Sequence, residues 1–115
     1  MPMTFDEVRD FLLALPAVTE GTSYGAPGLR VGRRFLARLK EDGDSLVVRL
    51  DFDEREMLME AEPETFYITD HYRPYPAVLV RLSKVEAGTV KQLLMQRWRE
   101  AAPKRLVKAF EDAGA

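Results

Sequence analysis

The apolar residues of this chain keep two different periods, and the switch between them limits the folds open to it. Phe5, Val8, Leu12 and Leu15 recur at helical spacing, with Phe11 beside them. Thr4 and Glu7 form a capping box ahead of that stripe, Asp6 suits the positive end of the helix dipole, and Pro16 ends it. From Val18 to Leu50 the period drops to two: Leu29 and Val31 flank Arg30, Phe35, Ala37 and Leu39 alternate with Leu36, Arg38 and Lys40, and Leu46, Val48 and Leu50 alternate with Val47, Arg49 and Asp51. Gly25-Ala26-Pro27-Gly28, Gly32-Arg33-Arg34 and Glu41-Asp42-Gly43-Asp44 supply turn chemistry between these runs, so they read as an antiparallel meander.

Helical spacing returns further on. A short helix is expected from about Asp53 to Ala61, capped by Asp53, with Met57, Leu58 and Ala61 turned inward. Phe66–Thr69 and Ala77–Leu82 read as two more strands. Ser83 and Glu86 form a second capping box before a long helix with the stripe Val90, Leu93, Leu94, Trp98 and Ala101; Pro103 then kinks it or starts another carrying Leu106, Val107 and Phe110. Helix, strands, helix in that order predicts one α+β domain over residues 1–115, a two-layer sandwich with the N- and C-terminal helices on one face of an antiparallel sheet and the other face open.

Composition narrows the function classes. The chain has 115 residues and no cysteine, so disulfides, zinc–thiolate sites and a thiol nucleophile are excluded. No metal or cofactor is expected: His71 has no second histidine to share an ion, and the acidic run Asp51–Glu64 reads as the solvated side of a helix. No Ser/His/Asp signature, paired-carboxylate spacing or phosphate loop stands out, so no catalytic residues are expected and the chain does not read as an enzyme. The start MPMTFDEVRD lacks the pattern of a secretory signal and no apolar run approaches membrane length, which predicts a cytoplasmic location without membrane contact. A net charge of −2 argues against a protein that grips phosphates over its whole surface. The charge is segregated, however, and local basic patches remain.

Several stretches resemble a known family. SYGAPGLRVGRRFLARL is similar to the early β-hairpin of the MmcQ/YjbR family, and FYITDHYRPYPAVLVRL followed by VKQLLMQRWREAAPKRL is similar to its histidine-containing crossing and terminal helix. The likeness extends over roughly Phe5 to Val107. It implies a CyaY-like sandwich distantly related to frataxin, and a family that carries a DNA-binding label with otherwise undefined biochemical function. Many members have His-Trp directly at the start of the last strand, whereas here His71-Tyr72 is followed by Arg-Pro-Tyr-Pro.

Strand parity singles out one constellation. If Phe35, Ala37 and Leu39 face the helices, then Arg30, Arg38, Lys40, Arg49 and Arg81 project from the open face, with Leu36, Val47 and Leu79 among them and Arg33 and Arg34 at a hairpin tip. Such a face suits nucleic acid, which the resemblance implies to be DNA: arginines meet phosphates, and Tyr24, Tyr67, Tyr72 or Tyr75 at its margin stack on unpaired bases. Its ordinary explanation is long charged side chains covering a one-sided sheet. Two other readings stay open. One is a protein-interaction or homodimerisation surface centred on Leu36, Val47 and Leu79. The other is a small-anion pocket at the crossing with His71, Tyr72, Arg73 and Arg30. For His71 itself, the ordinary expectation is a hydrogen bond that ties down the crossing.

Overall fold

The computed structural model describes residues 2–23 and 25–114. Helix α1 (Phe5–Leu13) leads into β1 (Val18–Ser23), β2 (Ala26–Val31), β3 (Arg34–Leu39) and β4 (Ser45–Arg49). Helix α2 (Phe52–Ala61), β5 (Phe66–Tyr67), a 3-10 turn (Asp70–Tyr72) and β6 (Ala77–Arg81) follow, and α3 (Ala87–Ala101) and α4 (Lys104–Gly114) close the chain. The sheet is antiparallel throughout, in the order β1-β2-β3-β4-β6-β5. This is the expected α+β architecture. Among the described residues, no helix is long and apolar enough to cross a membrane.

Local chemistry explains the boundaries. The capping box at α1 is formed: Glu7 N donates to Thr4 Oγ1 at 3.2 Å and Thr4 N to Glu7 Oε1 at 3.0 Å. The tight β2–β3 and β3–β4 turns put Gly32 and Gly43 at φ of 61° and 75°, where a Cβ would be strained. Two expected caps fall elsewhere. Helix α2 is capped by Asp51, whose Oδ1 accepts from Glu54 N at 2.8 Å, not by Asp53. Ser83 does not cap α3, because its backbone N–H and hydroxyl both donate to Asp44 at 2.9 and 2.8 Å, clamping the β3–β4 turn. Of the two outcomes open at Pro103, the structure takes the break: Ala102 is extended and α4 starts afresh.

One face of the sheet carries the main core. Val8 and Leu12 of α1 and Val90, Leu94 and Trp98 of α3 pack on Leu29, Leu46, Val48, Val78 and Val80. Trp98 is fully buried and donates from Nε1 to the Pro16 carbonyl at 3.0 Å, so truncating it to alanine would cost about 3–5 kcal/mol. Helix α2 presents a different side from the one expected. Met57 is 69% exposed and Ala61 is exposed, while Arg55 is only 4% exposed and takes the inward place, with Leu58 and Met59 half-buried beside the core.

A bulge alters the parity of β3. Leu29 pairs with Ala37 but Arg30 pairs with Phe35, which leaves Leu36 as an extra residue. Leu36 therefore turns into the helix-side core, fully buried, and Phe35 takes its place on the opposite face.

Candidate functional site

The face away from α1 and α3 is built from cross-strand neighbours. Arg38 on β3 pairs with Val47 on β4, Val47 with Leu79 on β6, and Leu79 with Tyr67 on β5. One row toward the β2–β3 turn, Arg30 faces Phe35 and Arg49 faces Ala77. In the other direction Arg81 pairs with Ser45. Arg30, Arg38, Arg49 and Arg81 thus share this face, as parity predicted. The face is not wholly open, though: the Asp70–Tyr75 crossing folds back over it. Tyr72 is buried there against Val47, Ala77 and Leu79, with Phe35, Tyr67 and Ile68 packed alongside.

Arg55 holds that roof in place. Its Nη1 donates to the carbonyls of Tyr75 at 2.8 Å and of Tyr72 and Ala77 at 3.2 Å, and its Nη2 to that of Arg73 at 3.2 Å. A planar fork with five donors can collect carbonyls from a turning chain, which a point-charge ammonium cannot do. From the sheet side, Arg38 Nη2 donates to the Tyr72 phenol oxygen at 2.6 Å. The anchor is therefore Arg55 and not His71. His71 is exposed, and its ring meets Tyr72 edge-on at 4.9 Å and Tyr75 at 5.8 Å.

Beside the roof lies a groove of about 770 Å³. Arg30, Arg38 and Lys40 line it with positive charge, against Glu41 alone. Its rings are Phe35, His71, Tyr72 and Tyr75, the last 52% exposed. Two sites that were separate in the sequence, the basic strand face and the His71 crossing, thus share one cavity. Guanidinium and ammonium groups there can meet phosphate or carboxylate oxygens, and the rings can stack on a planar partner.

The neighbouring turn withholds two of its three acids, Asp42 and Asp44, from this groove. Asp42 accepts from Asp44 N, Ser45 N and Ser45 Oγ at 2.9, 2.8 and 2.8 Å, and Asp44 is taken up by Ser83. Burial alone would raise the Asp42 pKa, but those donors and Lys40 outweigh it and hold the carboxyl below its ordinary range.

Other expected site residues go elsewhere. Arg81 lies over the Tyr67 ring, 3.8 Å from its centre, and Tyr67 shares a hydrogen bond with Ser45. Arg73 pairs with Asp70 at 3.0 Å and does not line the groove. Arg34 turns to the helix layer, where Nη1 donates to the Glu100 carbonyl at 3.4 Å. Arg33, Arg34 and Arg49 line a second cleft together with Arg97. Leu36, Val47 and Leu79 are all buried, so they offer no exposed apolar centre for a partner. Tyr24 lies outside the described residues. Arg55 went unnoticed as a functional support, although one signal was legible: it is the lone cation among the seven acids from Asp51 to Glu64.

Comparison with known proteins agrees with this architecture. The chain is 34% identical over 125 residues to uncharacterized proteins of Mycobacterium tuberculosis (Rv2570) and Mycobacterium bovis (Mb2600), covering 93% of this chain and 95% of each relative. The crystal structure of Deinococcus radiodurans protein DR2400, a DUF419 domain, superposes with a TM-score of 0.72 at 24% identity, over 83% of this chain and 75% of that one, which supports the fold alone. The YjbR family model matches residues 13–100, which contain the whole sheet, α2 and nearly all of α3. On that match and the mycobacterial likeness, the chain belongs to the YjbR family.

Proposed function

We propose that this protein binds nucleic acid, weakly and through the groove beside the crossing. The observation that carries the reading is the sharing of one cavity by Arg30, Arg38 and Lys40 with the rings of Phe35, His71, Tyr72 and Tyr75. Cations alone would be an ordinary solvated sheet face; cations with the exposed rings of His71 and Tyr75 beside them suit a ligand that has both phosphates and planar bases. The DNA-binding label implied by the family resemblance points the same way, and a cytoplasmic location belongs with this reading.

Affinity that comes from three cations falls with salt at a slope of about −2 on logarithmic axes, so a fourfold rise in salt weakens binding roughly 20-fold. Fluorescence anisotropy with single-stranded and duplex oligonucleotides at low and moderate salt tests this. An Arg30→Glu/Lys40→Glu protein is expected to lose the binding. Absence of any binding by the native protein at low salt overturns the reading.

The cavity volume favours a second reading. At about 770 Å³ the groove falls within the range of small-ligand pockets. A mononucleotide arm in the same titration separates the two: saturation by the monomer with no gain from a longer strand identifies a small-anion site.

A further inference from the structure

A second cleft of about 710 Å³ adjoins the groove, and Phe35 lines both. Arg33, Arg34, Arg49 and Arg97 converge on it. Two carboxylates also line it, and both are engaged: Asp51 caps α2, and Glu100 Oε1 accepts from Arg97 Nη2 at 2.8 Å. Arg97 is held rigid with 6% exposure, its Nη1 donating to the Arg49 carbonyl at 3.4 Å and its Nη2 lying 3.7 Å from Glu54. The side chains of Arg33 and Arg49 are exposed, and their guanidinium groups have no hydrogen-bond or ion-pair partner among the described residues. Four guanidinium groups against two occupied acids leave a surplus of positive charge, backed by the apolar wall of Leu50, Pro76 and Ala101. The structural work of Arg97, joining α3 to β4, accounts for that residue but leaves Arg33 and Arg49 unexplained.

Arg49 stands on the same sheet face as Arg38, and Arg34 reaches the helix layer, so the cleft curls from the sheet face around Phe35 toward α3. From Lys40 to Arg34 along β3 is about 20 Å at the usual strand rise. A stiff duplex, with its bases stacked inside, cannot follow that bend or reach the rings. A single strand can do both.

We infer that groove and cleft are two halves of one track for single-stranded nucleic acid, with bases against the rings of the groove and two backbone phosphates in the arginine cleft beyond Phe35. The inference rests on the nucleic-acid reading above and adds the strandedness, the path and a second contact point.

Oligonucleotide length tests it. At the stacked spacing of about 3.4 Å per nucleotide, a thymidine trimer stays within the groove while an octamer reaches the cleft. An Arg33→Gln/Arg49→Gln protein is expected to bind the octamer at least tenfold more weakly than native and the trimer within about twofold, with a salt slope smaller by roughly 1.4 for two lost phosphate contacts. Arg33→Lys/Arg49→Lys should restore most of the octamer affinity. Lys104→Gln/Lys108→Gln, on the exposed side of α4, controls for net charge and should leave both affinities unchanged. Equal losses for trimer and octamer, no loss for either, or a native preference for duplex would overturn the track while leaving the groove. Failure of the native protein to bind either oligonucleotide would overturn the nucleic-acid reading and the track with it.

Discussion

The Arg38 guanidinium donates from Nη2 to the Tyr72 phenol oxygen at 2.6 Å, which joins the middle of the sheet to the roof that crosses it. The bond spans 34 residues of sequence and aims a cation at the wall of the groove. It couples the stability of the crossing to the orientation of a candidate ligand-binding group.

Replacing Tyr72 by phenylalanine separates those two roles, since the ring stays and only the acceptor is lost. A hydrogen bond to a charged group contributes about 1.5–3 kcal/mol when buried, so at this half-buried position a loss of about 1–2 kcal/mol is expected in urea denaturation. Affinity for a thymidine octamer should fall severalfold although the stacking surface is intact. Unchanged affinity would show that the phenol does not position Arg38 for binding.

Arg55→Lys should be far more damaging than its conservative appearance suggests. Four carbonyl groups of the crossing receive the guanidinium fork, and an ammonium cannot reach them all. Leaving buried acceptors unsatisfied costs about 1–3 kcal/mol each, so a loss of roughly 3 kcal/mol is expected. Amide hydrogen exchange should also quicken between Asp70 and Ala77 relative to β4. An unfolding free energy within about 0.5 kcal/mol of native would rule out the anchoring role.

The depressed Asp42 pKa makes a prediction about acid. The folded protein holds this proton less tightly than the unfolded chain, so the carboxylate stabilises the fold above its ordinary pKa of 3.8 and ceases to do so as pH falls through the lower folded value. Asp42→Asn removes the charge and keeps one acceptor oxygen. The native protein should be the more stable of the two at neutral pH, with the difference closing as acid is added below the ordinary value. A stability difference that stays constant between about pH 7 and about pH 2 would mean that the charge contributes nothing.

The main architecture was legible because it depends on short-range periodicity. The Thr4/Glu7 box, the helical stripe ending in Trp98, and the alternation of Leu46, Val48 and Leu50 each state their structure within a few residues. Parity also placed Arg30, Arg38, Arg49 and Arg81 on one face, since side chains alternate along any strand. Periodicity could not reveal the bulge that exchanges Phe35 and Leu36, because a bulge is a mismatch between two strands and neither strand displays it alone. Met57 was expected inside for its apolarity, yet the inward position goes to Arg55, whose value lies in the carbonyls it meets about 20 residues later.

By itself the chain of residues settled which main segments are helical or extended and which strand residues share a face where no bulge intervenes, since those preferences act between near neighbours. Folding in three dimensions decided the rest: that β4 pairs with β6, that the crossing lies over the sheet under Arg55, and that the basic strand residues and the rings around His71 line one groove. Those relations join groups tens of residues apart, and only the closed backbone brings their hydrogen bonds and charges within reach of one another.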